Sequence, residues 1–357
     1  MKQFVAPIIA LALVITALFL PLSSSNAISA GPGDGTDAEI ETLEEATEVL
    51  DSVLYLSRSL ARSSRSSLEH DSVTLYFERD SHMGISYDGT GRDMSMKSSN
   101  TYYIDEDQVY IICDGIITTS SQQKSSTYYD NSSNASYIRV KAEIYYSKSE
   151  TLMKINDFEV ITTNSSVFTP AVKNVMLNKW IDLKSGGSSI MSMFNQVMDM
   201  NTEFLELLRD YASHYDSDEY FKNNNSVYTL KSDASDKFFD DVLEMAVGSI
   251  PFDVEVDGDF VVDLSDSTLP RIELDVDYDF PDSFTKTERV DSSSGNYYDY
   301  IYGGRYEEVT YDISANGNYE KLVYEFANID NTEIEFDLDS DDIYTMQEIE
   351  ELIEEVA

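Results

Sequence analysis

The chain has 357 residues, 42% hydrophobic and 12% aromatic, which is enough apolar material for a packed core and excludes a wholly disordered polymer. Its 24 Lys and Arg against 67 Asp and Glu give a net charge of −43, which repels nucleic-acid phosphates and the anionic face of a membrane. One cysteine, Cys113, excludes an internal disulfide and multi-cysteine zinc sites, so stability has to come from packing.

Residues 1–27 read as a signal peptide: Lys2, an apolar run from Phe4 to Leu22, then Ser25-Asn26-Ala27 with small side chains where a signal peptidase reads them. Cleavage near Ala27 predicts an exported protein, extracellular or held at the cell envelope; an uncleaved anchor is the competing reading of the same run. Residues 28–39, with Gly31-Pro32-Gly33-Asp34-Gly35, carry the breakers of a flexible leader. Asn131, Asn134, Asn164 and Asn224 open Asn-x-Ser triplets, which Ser- and Asn-rich loops also produce by chance.

Residues 40–336 are expected to form one domain of antiparallel sheet plus helices. From Ile40 to about Arg65, Ile40, Leu43, Ala46, Leu50, Val53, Leu54 and Leu60 recur at three- and four-residue steps, which predicts a long amphipathic helix. Arg58, Arg62 and Arg65 share a face near its end, where cations offset the exposed carbonyl charge. Alternation follows in Val73 to Phe77, Gln108 to Ile112, Tyr137 to Tyr146 and Leu152 to Ile155, which predicts strands. Asp88-Gly89, Asp257-Gly258 and Asn316-Gly317 each sit between such runs and can supply the positive φ of a tight hairpin turn.

Two helical insertions are predicted to cover the sheet, Ser189 to about Tyr215 and Ser235 to Val247, the second capped by Ser235. Residues 337–357 read as an acidic C-terminal helix starting near Ile343, after Asp339-Ser340-Asp341-Asp342, whose carboxylates suit a helix N-terminus.

Catalytic patterns are missing. His70, His82 and His214 are scattered singly, and no nucleophile elbow, phosphate loop or dinucleotide fingerprint occurs. Cys113 follows the apolar run Val109 to Ile112 and reads as a buried, inert thiol. Asp253-Val-Glu-Val-Asp-Gly-Asp begins like a calcium loop but has Leu264 at the twelfth position, and its alternating valines fit a strand better. The expectation is a non-enzyme with no cofactor and no metal, because nothing singles out a pair among 67 acids even for two-carboxylate chemistry.

Two clusters suit a ligand. Met191, Met193, Phe194, Met198, Met200 and Phe204 form a methionine-aromatic stripe just after the only tryptophan, and methionine adapts to varied apolar shapes. The candidate ligand-binding residues are Trp180, Met193, Phe194, Val197, Met198, Phe204 and Leu208. The second cluster runs from Tyr297 to Tyr302 before Gly303-Gly304, where rings beside an acid could stack on sugars or a partner protein.

The order of segments resembles the lipoprotein-carrier (LolA-like) superfamily of exported lipid-binding proteins. The matching pieces are the helix from Ile40, Glu143-Ile-Tyr-Tyr146, Leu152-Met-Lys154, Lys179-Trp180-Ile-Asp-Leu183, Phe204-Leu-Glu-Leu-Leu208, Val227-Tyr-Thr-Leu230, Pro270-Arg-Ile-Glu-Leu274 and Tyr319 to Ile329. The resemblance implies a curved, unclosed antiparallel barrel whose concave side faces helices across an apolar cavity for acyl chains. The chain departs from it in its far more negative charge and in lacking a lipidated cysteine. The expected fold class is α+β, a large curved antiparallel sheet forming an open half-barrel, covered by a long N-terminal helix and inserted helices. The expected function is an exported binding protein holding a hydrophobic or lipid-like ligand between sheet and helices. The alternative is a cell-surface interaction or structural module that binds glycans, cations or protein through its acidic, tyrosine-rich exterior.

Overall fold

Four strands of 15 or 16 residues, each about 50 Å long at about 3.3 Å per residue, build the frame. The computed structural model describes residues 28–59, 70–87, 90–123, 132–162, 165–166, 168–188, 206, 209, 220–247, 254–290, 305–315 and 317–356. In chain order its elements are β1 (Ile28–Pro32), α1 (Leu43–Ser59), β2 (Val73–Tyr87), β3 (Thr90–Ile104), β4 (Gln108–Gln123), β5 (Ser132–Ser147), β6 (Thr151–Thr162) and β7 (Ser165–Ser166). There follow α2 (Pro170–Met176), β8 (Trp180–Asp182), β9 (Phe221–Asn224), β10 (Val227–Leu230), α3 (Ser232–Val247), β11 (Glu255–Asp263), β12 (Arg271–Asp279) and β13 (Ser283–Val290). The chain ends with β14 (Arg305–Ala315), β15 (Asn318–Ala327), β16 (Thr332–Phe336), β17 (Ile343–Thr345) and α4 (Met346–Val356).

One large sheet has the order β17-β8-β6-β5-β4-β3-β2-β15-β12-β11-β10-β9, open at both ends and so not a closed barrel. Every strand pair in it is antiparallel except β17 with β8. The β13–β14 hairpin joins through the last residues of β14, which pair with β2. A second, two-stranded sheet pairs β1 with β16 from Ile28↔Phe336 to Pro32↔Thr332, so the first five residues of the expected leader are a strand.

The Xaa-Gly dipeptides do not all close hairpins. β2 and β3 form an antiparallel hairpin that pairs up to Tyr87↔Thr90, and Asp88-Gly89 lies outside the described residues. Gly258 turns nothing: it lies inside β11, opposite Val276 of β12. A Cβ there would sit 2.2 Å from the Asp275 carbonyl oxygen, so the position demands glycine for close backbone approach. Nor does Gly317 close a hairpin, because β14 and β15 both run antiparallel to β2, with Ala315↔Ile85 on one side and Tyr319↔His82 on the other. One extra residue is accommodated between them, as in a bulge, and Gly317 carries the φ of 57° that this needs.

The two faces of the sheet differ. On the inner face Leu75, Phe77, Tyr102, Ile111, Val140, Ile144, Leu274, Leu322 and Phe326 share one core cluster with helix residues. α1 contributes Leu43, Ala46, Val49, Leu50, Val53 and Leu54; α3 contributes Phe238, Phe239 and Val242; Met176 of α2 and Ile349 and Ile353 of α4 complete it. Phe238 stacks on Phe260 of β11 with centroids 4.8 Å apart. The outer face is charged except at one end. There Tyr110, Tyr145, Leu152, Trp180 and Ile334 form a smaller cluster beneath β1 and β16, and Phe336 stacks on Tyr145 at 4.3 Å.

Helix boundaries follow side-chain caps. Thr42 Oγ1 accepts from the Glu45 amide at 3.2 Å while Glu45 Oε2 accepts from the Thr42 amide at 2.8 Å, a reciprocal capping box at the start of α1. α1 is described as far as Ser59; the expected continuation through Arg62 to Arg65 lies outside the described residues. α3 begins at Ser232, ahead of the expected Ser235, whose hydroxyl donates to Ser232 O within the first turn. α4 begins at Met346 because Ile343–Thr345 is taken up as β17 beside β8, and Thr345 with Glu348 forms a second capping box. Of the expected helix over 189–215, Glu206 and Arg209 are described, both helical, and Arg209 Nη1 lies 3.1 Å from Asp51 Oδ1 on α1. No described helix is long and apolar enough to cross a membrane.

Candidate functional site

Of the predicted ligand-binding residues, Trp180 is described; Met193, Phe194, Val197, Met198, Phe204 and Leu208 lie outside the described residues, as do Tyr297 to Tyr302. Trp180 is 4% exposed and sits in the outer cluster under β1 and β16, not in the cluster shared by the helices and the inner face. Its strand pairs with β6, so Trp180 faces Lys154, whose Nζ lies 5.2 Å from the ring centroid.

Beside it Lys154 Nζ meets Glu143 Oε1 at 2.7 Å. Asn156 Nδ2 donates to the same oxygen at 2.7 Å and Tyr110 OH donates to Oε2 at 2.6 Å. Asn156 is placed by a register shift in β6, where Lys141 pairs with Asp157 and Ala142 with Ile155. Glu143 is wholly buried, and its oxygens are supplied with donors, so this group holds structure and leaves nothing for a ligand.

The inner face carries a polar island that is not supplied in this way. On β3, Ser98 and Asn100 are 9% and 1% exposed; Arg79 of β2 stands opposite Ser98, and Phe77 opposite Asn100. Arg79 makes a close ion pair with Glu320 of β15, which is 5% exposed, and the Tyr278 hydroxyl of β12 is the next polar group. Arg79 Nε and Ser98 Oγ are buried here without a hydrogen-bond partner, while Asn100 engages the Tyr102 hydroxyl and Glu320 engages both Arg79 and the Tyr278 hydroxyl. Tyr102 and Tyr324 flank the island, and Phe77 stacks on Tyr324 with centroids 4.7 Å apart.

Electrostatics keep these phenols neutral. Burial pushes Tyr102 well above its ordinary value. Burial likewise raises Tyr278, with the Glu320 charge adding to it, and raises Tyr324 against the opposing pull of Arg79. The Cys113 thiol is raised by burial and then by the Glu143 charge, which keeps it protonated and unreactive.

The β3–β4 ladder is interrupted at this point, passing from Ser98↔Gly115 to Thr101↔Ile112 without a change of register. Behind it, on the outer face, lies an open groove of about 360 Å³ lined by Glu78, Asp80, Lys97, Asp114 and Lys321. Most of its charges have a partner: Asp80 receives Lys97 and, at 2.8 Å, Tyr319 OH, while Lys321 reaches Asp275 at 2.8 Å and Glu273 at 2.5 Å. Asp114 holds Lys141. Asp80 accordingly raises the Lys97 ammonium, and Asp275 followed by Glu273 raises Lys321. Among the described residues no group of three or more His, Cys, Asp or Glu could hold a metal ion.

Sequence reasoning passed over the island, although its signal is present. Val73, Leu75 and Phe77 set the core phase of β2, and Arg79 is the next residue on it; Leu322, Tyr324 and Phe326 set that of β15, and Glu320 interrupts it. A charge in the buried phase of an alternating strand is the mark that was available.

No family model matches the chain, and neither does any curated protein. Among solved structures, mouse fetuin-B in complex with crayfish astacin aligns at 9% identity with a TM-score of 0.12, over 84% of this chain and 70% of that one. A likeness at that score carries no inference about fold or function.

Proposed function

We propose that this chain is an exported, non-enzymatic binding protein that holds an amphipathic, largely lipid-like molecule between its helices and the inner face of its sheet, curved as an open half-barrel. One observation carries the reading: a polar island of Arg79, Ser98, Asn100 and Glu320, in which Arg79 Nε and Ser98 Oγ lack a hydrogen-bond partner, lies buried on an otherwise mainly apolar face. A solid core closed over them loses about 1–3 kcal/mol at each. A mostly apolar pocket with a few polar groups that orient its ligand gives the same atoms a use. In the sequence, the methionine-aromatic stripe of Met193, Phe194, Val197, Met198, Phe204 and Leu208 has the adaptable apolar character that such a ligand requires. Export rests on the segment 1–27, and the layout shared with lipoprotein carriers points the same way.

Organic extraction of the purified mature chain, read by mass spectrometry, tests this. The expected result is a lipid-like species near one molecule per chain, and a melting temperature that falls when it is stripped. An empty extract, together with no stabilisation by any added amphiphile, overturns the proposal. The second reading, a surface interaction module, draws on the open charged groove behind Ser99 and Asp114. It predicts binding to glycans or protein that is unaffected by stripping lipid.

A further inference from the structure

The outer face of the sheet carries a groove that the lipid reading does not use, open and about 360 Å³, inside the ~300–1,000 Å³ range of small-ligand sites. Val323, Ser99, Gly115 and Ile116 line it between charged walls. Its acids Glu78, Asp80 and Asp114 are matched in number by its bases Arg79, Lys97 and Lys321, on a chain where acids outnumber bases 67 to 24. Charge cancels here, so net charge selects neither an anion nor a cation.

What the groove offers instead is hydrogen bonding in fixed positions. Lys321, Asp80 and Lys97 stand in one row across β15, β2 and β3, so donor, acceptor and donor follow one another over neighbouring strands. Partners hold the walls in place: Asp80 takes Lys97, Asp275 and Glu273 take Lys321, and Lys141 meets Asp114. An ammonium and a carboxylate each keep bonding capacity beyond one partner, which suits a hydroxyl that donates to one and accepts from the other.

Two further side chains extend the groove along β2. Glu78 is exposed, stands opposite Ser99 and Val323, and has no partner among the described residues. Two positions before it on the same face is Tyr76, 37% exposed and among the few large apolar side chains left open to solvent. An open ring beside an unpaired carboxylate and a row of alternating donors and acceptors matches a sugar, whose ring has an apolar C–H face and a rim of hydroxyls. Resting on the surface reading above and on no lipid at the inner face, we infer that this groove binds an electrically neutral oligosaccharide, with one sugar ring stacked on Tyr76 and hydroxyls bonded to Glu78, Asp80 and Lys97.

Isothermal titration calorimetry of the mature chain tests it with cellohexaose, laminarihexaose, mannohexaose and N-acetylchitohexaose, beside hexagalacturonate and hexalysine as anionic and cationic probes. At physiological salt at least one neutral hexasaccharide is expected to bind about tenfold more tightly than either charged probe. Tyr76→Ala and Glu78→Ala, both at exposed positions, are each expected to weaken it about tenfold with Trp180 emission unchanged. Met94→Ala, exposed and in phase with Met96 on the other face of β3, is expected to bind as the parent does. Parental affinity in Tyr76→Ala overturns the stacking platform, and parental affinity in Glu78→Ala overturns the bonding role of that carboxylate. A charged probe that binds as tightly as the best neutral sugar overturns the selectivity. Silence from all four sugars overturns the inference; hexalysine binding that Glu78→Ala abolishes then leaves the surface reading standing with a basic protein segment as partner, and silence from all six probes overturns both.

Discussion

Glu143 and Lys154 stand opposite each other in the β5–β6 register, with Nζ 2.7 Å from Oε1 and side-chain exposures of 0% and 7%. Two opposite charges out of water hold together only while both are present. Glu143→Leu strands the ammonium and removes the acceptor of Tyr110 and Asn156, so urea unfolding is expected to show a loss of about 3–5 kcal/mol. Joining it to Lys154→Met should restore much of that loss, since an apolar pair of similar volume escapes the desolvation cost. A double variant as unstable as the single one refutes the charge argument.

Trp180 gives a second, optical prediction. It is the only tryptophan and is buried under β1 and β16 with Ile334 and Tyr145 in its cluster. Its emission is expected to be blue-shifted and poorly quenched by acrylamide. Removing residues 28–32 uncovers the cluster by taking away the strand paired with Thr332–Phe336. That deletion should red-shift the emission and raise acrylamide quenching; an unchanged spectrum means β1 does not shield the ring.

Glycine substitutions separate two reasons for the same residue type. Gly258→Ala places a methyl 2.2 Å from the Asp275 carbonyl oxygen and 3.0 Å from Val276 Cα, both backbone, so the strands must part. The expected loss is at least about 1–3 kcal/mol, the ordinary range for overpacking. Gly317→Ala meets nothing within 4 Å, but its φ of 57° costs a side chain about 1 kcal/mol. Chemical denaturation should rank the first variant well below the second.

These glycines also mark the limit of what was legible. The alternation that predicted strands is a physical periodicity, and it holds best for β12 and for β4 from Ile111 to Ile117, whose buried and more exposed positions alternate. An Xaa-Gly dipeptide records only that the backbone has freedom, and whether that freedom serves a turn, a bulge or close strand approach depends on partners distant in sequence. Helix starts could have been read better, since Thr42-x-x-Glu45 and Thr345-x-x-Glu348 are capping boxes in plain sequence. The candidate site was half hidden for a different reason. Arg79 and Glu320 are 241 positions apart, and only the pairing of β15 with β2 makes one charge the partner of the other.

Thr345 and Glu348 lead to a local prediction. Thr345 Oγ1 accepts from the Glu348 amide at 3.3 Å, and the Glu348 carboxylate accepts from the Thr345 amide at 2.7 Å. Thr345→Ala removes the first of these bonds, and thermal unfolding should register a loss of about 1 kcal/mol. Because α4 packs Ile349 and Ile353 into the shared core, the change should lower the single global transition and not a separate helix melt.

Acid should destabilise this protein through identifiable carboxylates. Burial pushes Glu273 up, but the bond from Lys321, its charge and that of Arg271 win, and the group is held below its ordinary 4.5. Asp157 behaves alike: burial opposes, and the bond and charge of Lys173 hold it below 3.8. Glu45 is lowered by the amides of Glu41 and Thr42. A folded-state pKa below the unfolded one means stability that is fully present above the unfolded value and lost as pH falls through the folded one. The melting temperature is therefore expected to be insensitive to these groups from pH 7 to about 5, then to fall through and below the ordinary carboxylate range. Glu273→Gln abolishes one titration, so its melting temperature should start lower at pH 7 and converge on the parent's as pH drops. Parallel curves that never converge show that the ion pairs on β12 and β15 contribute nothing to the acid response.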